Sequence, residues 1–337
     1  MRTTDRLARA SLIGVVALAL AAVAAPGASA RPVKPSTTTT TSTSTTTTST
    51  TTVPTYTTRT LSAPSRVAVY RGTSWVATFT VGSRTVTLAG PARTFAEPAN
   101  TTATVTGTTW VRLLSAPFTG TVDQTWLTAR LSDLSPDVLA LTMQYLVGGA
   151  PILDGAGVQI AGDAAYGPLQ ADGTRAEGSD FNDYLGVAWT YPSGTVDAPE
   201  ADQFRALDCS GFMRMVLGYR SGVPLSLSSS GGTTLPRRSF EQEAAGPGIT
   251  VIANTGVVPA SLGALAPGDL VFFDASTDDG TQIDHVGMYL GVDDGGHPRF
   301  VSSRKTANGP TLGDLGGRST LDGTGLYALA FRSARRV

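Results

Sequence analysis

Apolar and polar positions alternate in five short runs: RVAVY at 66–70, WVATFTV at 75–81, RTVTL at 84–88, ATVTG at 103–107 and WVRLL at 110–114. A period of two, punctuated by Gly72, Gly82, Pro91, Pro98 and Gly107, predicts a small antiparallel sheet or barrel. Two helices should follow. In the second, Ser135 stands as N-cap with Pro136 at the first helical position, and Val138, Leu141 and Tyr145 fall on one face. Residues 148–178 are rich in glycine and lack a period, so they read as a connection. Beyond them Phe212, Met215, Val216 and Tyr219 recur at helical spacing over 209–219, whereas DLVFF (269–273), HVGMYLG (285–291) and RFVSS (299–303) read as strands. A helix followed by a run of strands predicts an α+β body rather than alternating βαβ units.

The N-terminus follows a different logic. Arg2, Arg6 and Arg9 precede an apolar run from Leu12 to Ala25, which closes on Ala28-Ser29-Ala30, the small-x-small pattern of a cleavage site. Residues 1–30 are read as a secretory signal, because the run is shorter than the ~20 apolar residues of a membrane span and is broken by Pro26 and Gly27. The expectation is an exported protein, secreted or associated with the cell wall, with no membrane anchor after cleavage. Every residue from Ser36 to Thr52 is Ser or Thr, so no core offsets the entropy of ordering. Residues 31–60 are therefore read as a Ser/Thr/Pro-rich disordered linker, bare or O-glycosylated. The domain reading places a β-rich accessory domain with helices at 61–165, with a wall-binding or packing role, and a second domain at 166–337.

Charge narrows the function. The 337 residues carry 25 Lys and Arg against 26 Asp and Glu, and this balance, without a basic cluster, argues against nucleic acid as a partner. Charged residues are 15% and hydrophobic residues 41%, enough for one or two cores. One cysteine excludes an intramolecular disulfide, and with two histidines it leaves too few ligands for a zinc finger or ribbon. No cofactor is called for, and turns such as Asp278-Asp279-Gly280 lack the alternating spacing of a calcium loop.

Cys209 opens a helical pattern in Asp208-Cys209-Ser210-Gly211-Phe212. A thiol at a helix N-terminus feels the positive end of the macrodipole, which favours thiolate, the attacking species. A buried packing cysteine is the alternative, and the polar neighbours Asp208 and Ser210 count against it. Asp208 would raise the thiol pKa, so a capping or substrate-binding duty suits it better than activation. The base must be His285 or His297. His285 begins an apolar strand, whereas His297 sits in the turn-like Asp293-Asp294-Gly295-Gly296-His297-Pro298. If 285–291 and 299–304 pair as a hairpin, six steps of ~3.3 Å set the two histidines about 20 Å apart. They cannot share a site, and His285, on a strand, is the better base.

Four stretches together, DCSGF (208–212), LPRRSFEQ (235–242), LAPGDLVFF (265–273) and DHVGMYLG (284–291), resemble the NlpC/P60 cell-wall cysteine peptidases. The resemblance implies a papain-like α+β fold, Cys209 as nucleophile, His285 as base, and a peptidoglycan stem peptide as substrate, cut most often between D-glutamate and the diamino acid. Asp208 and Ser210 would meet the substrate. The family usually carries His or Asn as a third polar residue on the next strand; the matching place is Ser302, which a two-residue turn would set opposite Gly287 on the His285 face. Where the family has Tyr before Trp-Gly-Gly, this chain reads Trp189-Thr190-Tyr191-Pro192-Ser193-Gly194, so the substrate wall formed by Trp189 and Tyr191 is altered. An amidase of related fold that frees L-alanine from the glycan, and a catalytically silent wall-binding protein, are the other readings.

Overall fold

The computed structural model describes residues 55–229 and 231–337; the signal and most of the linker lie outside them. Five strands, β1 (Thr57–Leu61), β2 (Arg66–Arg71), β3 (Ser74–Thr80), β4 (Thr85–Ala96) and β5 (Thr104–Leu113), form an antiparallel meander in sequence order. β1 begins inside the stretch read as linker, so residues 57–60 belong to the sheet. The runs at 103–107 and 110–114 are one strand. β4 continues across Pro91, because the register shifts between Ala89 and Arg93, and proline is tolerated where the ladder is interrupted.

Helices α1 (Gln124–Leu131) and α2 (Val138–Met143) follow as expected. The cap of α2 is Asp137 rather than Ser135, whose hydroxyl donates to Asp133 instead. Asp137 is buried, and its carboxylate accepts from the Ala140 N–H at 2.9 Å, from the Val111 N–H at 2.6 Å, and from both terminal nitrogens of Arg93 at 2.6 Å. One side chain thus caps the helix and fixes it to β4 and β5. A serine hydroxyl could not accept from so many donors.

The short pair β6 (Ile152–Leu153) with β7 (Gln159–Ala161) lies in the connection, and helix α3 (Phe181–Leu185) and the pair β8 (Trp189–Thr190) with β9 (Val196–Asp197) follow it. Helix α4 (Cys209–Met213) continues as a π-helical turn over Arg214–Tyr219, and α5 spans Ser239–Ala245. Then come β10 (Ile249–Ile252), β11 (Leu270–Phe273), β12 (His285–Val292), β13 (Pro298–Arg304), β14 (Gly309–Thr311), helix α6 (Leu326–Ala330) and β15 (Phe331–Arg336). The second sheet is antiparallel in the order β10-β15-β11-β12-β13-β14. This is the α+β body, preceded by a β-rich region, that the patterns predict.

β11 is buried along its whole length. Leu270 and Phe272 join a core shared with α2, α4 and the π-turn, while Val271 and Phe273 join a second core with Phe300, Tyr327 and Phe331. A continuous apolar run is what a strand covered on both faces requires. Phe95, Val105 and Val111 of the first sheet enter the same core as Cys209 and Phe212, so the first sheet supports the helix that carries the cysteine.

Replacing Asp137 with Ala leaves the Arg93 guanidinium and the Val111 N–H without their acceptor, the situation in which a buried pair loses one partner. The expected cost is about 3–5 kcal/mol, read as a lower urea midpoint with an unchanged denaturant slope. Loss of less than about 1 kcal/mol would show that the carboxylate does not tie the first sheet to α2.

Candidate active site

Cys209 is the first residue of α4. Its preceding residue Asp208 caps the helix, accepting from the Gly211 N–H at 2.8 Å. The buried Asp208 carboxylate also accepts from Gly178 N–H at 3.0 Å, from the Ser210 hydroxyl at 3.1 Å, and from Arg237 at 2.7 and 3.2 Å. Arg237 overcomes the penalty of burial and holds the Asp208 carboxyl below the usual range. A parallel pair lies beside it, where Arg214, fully buried in the π-turn, donates Nε to both oxygens of Asp180 at 2.9 and 3.0 Å. Arg237 stands 3.6 Å from Asp180, so the two pairs form one network.

A cavity of about 620 Å³ opens at this helix end. Its walls include Cys209, His285, Tyr166, Glu177, Arg304 and Tyr327, and also Asp208 and Ser210. The polar atoms of the last two are spent inside the protein, since the Ser210 Oγ also accepts from Arg237 at 2.7 Å. The structure thus brings the expected Cys209, His285, Asp208 and Ser210 to one cavity.

The thiol is not poised as the dipole argument expects. Its hydrogen bond goes to the Asp284 carbonyl, 3.9 Å away, and none joins it to His285 among the described residues. Burial pushes the Cys209 thiol far above its ordinary range, and Asp208 and Glu177 push the same way, against the opposing effect of the Val286 N–H. A five-residue helix end gives too little to offset those terms. His285 is also buried, its ring lying between Phe273 and Tyr327 with centroids 5.8 and 5.1 Å away. Burial first, and then the charge of Arg304, hold its pKa down at about 3. Burial thus disfavours charge on both the Cys209 thiol and the His285 imidazole.

The other expected residues stand elsewhere. His297 lies in the β12–β13 turn, half-exposed, with Nδ1 3.0 Å from Asp322, apart from the cavity. Ser302 pairs across the hairpin close to Gly287: a Cβ built on that glycine would stand 3.1 Å from the Ser302 Cβ. The predicted register holds there, and a bulge between Tyr289 and Gly291 adjusts the pairing toward the turn. The Ser302 hydroxyl does not reach His285, however; it accepts from Arg304 Nε at 2.9 Å. Among the described residues the His285 Nε2 is buried with no partner. Trp189 and Tyr191 do not line the cavity. Trp189 packs on Phe181 and Tyr219, and the Tyr191 hydroxyl accepts from Arg214 at 2.7 Å, so both support the network beneath the site.

Tyr166, Arg304 and Tyr327 are the wall residues that sequence reasoning missed. Tyr166 lies in the aperiodic glycine-rich stretch, where no pattern points at it. Arg304 is legible in principle, since it follows Ser302 by two and strand alternation puts both on one face. Asp274, Asp279 and Asp284 approach one another, but Asp284 already accepts from the Ala275 and Ser276 N–H groups, both at 2.7 Å, and Asp274 pairs with Arg332 at 3.3 Å.

Comparison with known proteins assigns the region. Residues 191–309 match the NlpC/P60 family model. Two solved structures are similar to parts of the chain. An NlpC/P60 family protein from Bacillus cereus is 25% identical, covering 39% of this chain and 32% of that one, with a TM-score of 0.24. A Staphylococcus aureus protein described as similar to a lipoprotein of the NLP/P60 family is 19% identical, covering 65% of this chain and 50% of that one, with a TM-score of 0.27. The chain thus spans about a third and a half of the lengths of these two proteins. No curated protein matches it. Residues 191–309, which carry Cys209 and His285, are thus a domain of the NlpC/P60 family, whose members are generally cell-wall peptidases.

Proposed function

We propose that the protein is an exported peptidoglycan hydrolase that cuts an amide bond inside the stem peptide, with Cys209 as nucleophile and His285 as base. The observation that carries this reading is the meeting of the only cysteine with His285, the histidine held on a strand, on the wall of one cavity at a capped helix end. The substrate bond is the one from D-glutamate to the diamino acid. A mixed wall that includes Arg238, Lys305, Glu177 and Asp279 suits a short peptide bearing both carboxylates and amines.

The pair starts uncharged, so attack and proton transfer are coupled. As the sulfur closes on the carbonyl carbon, the thiol proton passes to the imidazole, and the developing oxyanion is met by backbone N–H groups at the start of α4. His285 then gives the proton to the departing amine, and the acyl group stays on sulfur. Water, deprotonated by the same imidazole, adds to the thioester; the carboxylic acid leaves and the thiol is restored. Tyr166 lines the same cavity.

A second reading, a silent wall-binding protein, is favoured by one observation: the thiol is buried and has no hydrogen bond to His285. Digestion of purified peptidoglycan separates the two. The expected result is soluble fragments with one new amino group on the diamino acid for each cut and no new reducing sugar end. Cys209→Ser should abolish release, and His285→Ala should lower it about a hundredfold or more, with His297→Ala within a few fold. Release of whole stem peptides with a free L-alanine amine would replace the endopeptidase with an amidase, and no release from several wall types would establish the silent reading.

The elevated thiol pKa also fixes a pH dependence. Above its usual range the thiol stays protonated at neutral pH, so the rate of Cys209 alkylation by iodoacetamide should climb with pH through 9 without a plateau between pH 5 and 7. Fast labelling below pH 7, the behaviour of a thiolate–imidazolium pair, would show that the site ionises at rest.

A further inference from the structure

Arg304 is a buried guanidinium, 2% exposed, with no carboxylate within ion-pair distance of it among the described residues, although Glu97 and Asp314 favour its charge from farther away. Its donors are nonetheless used: Nε to the Ser302 hydroxyl at 2.9 Å, one terminal nitrogen to the carbonyls of Gly313 and Gly317, the other to the Ser319 hydroxyl at 2.6 Å. Its plane lies 4.3 Å from the centroid of Tyr327, whose ring in turn faces His285. A buried ion of this kind is expensive unless each donor is satisfied, and here neutral acceptors satisfy them and leave the charge intact.

The other charged groups around His285 largely cancel in pairs. From α4, Asp208 is bound by Arg237 at 2.7 Å; from the turn after β13, Lys305 is bound by Glu177 of the segment before α3 at 2.7 Å. Asp284, the preceding residue, spends its carboxylate on two backbone N–H groups. Cys209, Tyr166 and Tyr327 are neutral, and Arg238 stands exposed at the rim before α5. Arg304 is the cation beside the imidazole that lacks a direct carboxylate partner, Glu97 and Asp314 acting on it only from farther away, and among the described residues the His285 Nε2, the atom a third polar residue would hold, is buried without a partner.

We propose that Arg304 is a positioning residue for the Cys209–His285 pair: it draws Ser302 away from His285 and, through the Tyr327 ring, holds the imidazole uncharged against the cavity. This rests on the reading of Cys209 and His285 as the reacting pair. A site arranged in this way stores no thiolate, so it resists oxidation and stray alkylation, and the sulfur becomes nucleophilic only as its proton is taken during attack.

With two histidines in the chain, the test is direct. In a His297→Gln background the single remaining imidazole is followed by NMR from pH 8 to 4.5, alongside alkylation of Cys209 at pH 6. In the protein with Arg304 intact the His285 signal should not titrate in that range. Arg304→Gln should bring the His285 midpoint up into that range and speed alkylation about tenfold, while Arg304→Lys, which keeps the charge, should, like the parent, show no titration there. A parent midpoint at pH 6 or above overturns the proposal, and needs no Arg304 variant to fold. A His285 signal that still does not titrate between pH 8 and 4.5 in folded Arg304→Gln overturns it too. These readouts need no turnover: absence of hydrolysis with a shifted midpoint would defeat the functional reading alone.

Discussion

Everything at the site depends on how the start of α4 is held. Asp208 carries a buried negative charge and meets five donors: two from Arg237, the Gly178 and Gly211 N–H groups, and the Ser210 hydroxyl. Asp180 and Arg214 repeat the arrangement one layer deeper, with Tyr191 closing the guanidinium's hydrogen bonds. Two carboxylates and two guanidiniums in contact give no net charge, the condition under which buried ions are tolerated. Three segments distant in sequence, 178–183, 208–214 and 235–242, converge because each contributes to this network. Removing one member would leave its partner charged in a dry interior and release the helix end that carries the sulfur.

The same dryness decides the ionisation of the site. A helix N-terminus contributes typically 0.3–1 kcal/mol to a favourably placed anion, whereas burying an unpaired charge costs several kcal/mol. Cys209 lies in the core with Phe212 and is next to the Asp208 charge, so the larger effect wins and the thiol keeps its proton. His285 loses its charge for the same reason. The two shifts are complementary: a neutral imidazole retains the lone pair that a base needs, and a neutral thiol retains the proton that the leaving amine will require.

The strands and helices of the second half were legible because their apolar runs exceed what any alternative would bury. LVFF at 270–273 and the alternation of 285–291 could hardly be anything but inner strands, and the order of Cys209 and His285 along them placed both on one wall. Local chemistry misled where a tertiary partner outbid it. Ser135 looks like a cap until Asp137 is seen to serve Val111 and Arg93 as well as the helix. Trp189 and Tyr191 look like a substrate wall because their neighbours in sequence resemble one, yet the buried Arg214 recruits the tyrosine hydroxyl and the core recruits the indole. Tyr166 was invisible, since a residue placed by a glycine-rich connection leaves no periodic trace.

Ser302 and Arg304 are best understood as one change. A third residue such as His or Asn at 302 would compete with a guanidinium two positions along the same face of β13. An imidazolium there would repel that cation outright, and in a dry interior the repulsion is barely screened. Serine is small, neutral and able to accept, which is what the Arg304 Nε needs. The guanidinium in turn is held by Ser319 and the 313–317 carbonyls and braced by Tyr327, so it cannot swing out to make room. Once such a cation is built into β13, a hydroxyl at 302 is the group that satisfies it at least cost, and the imidazole is left to be oriented by the rings of Phe273 and Tyr327 instead of by a hydrogen bond.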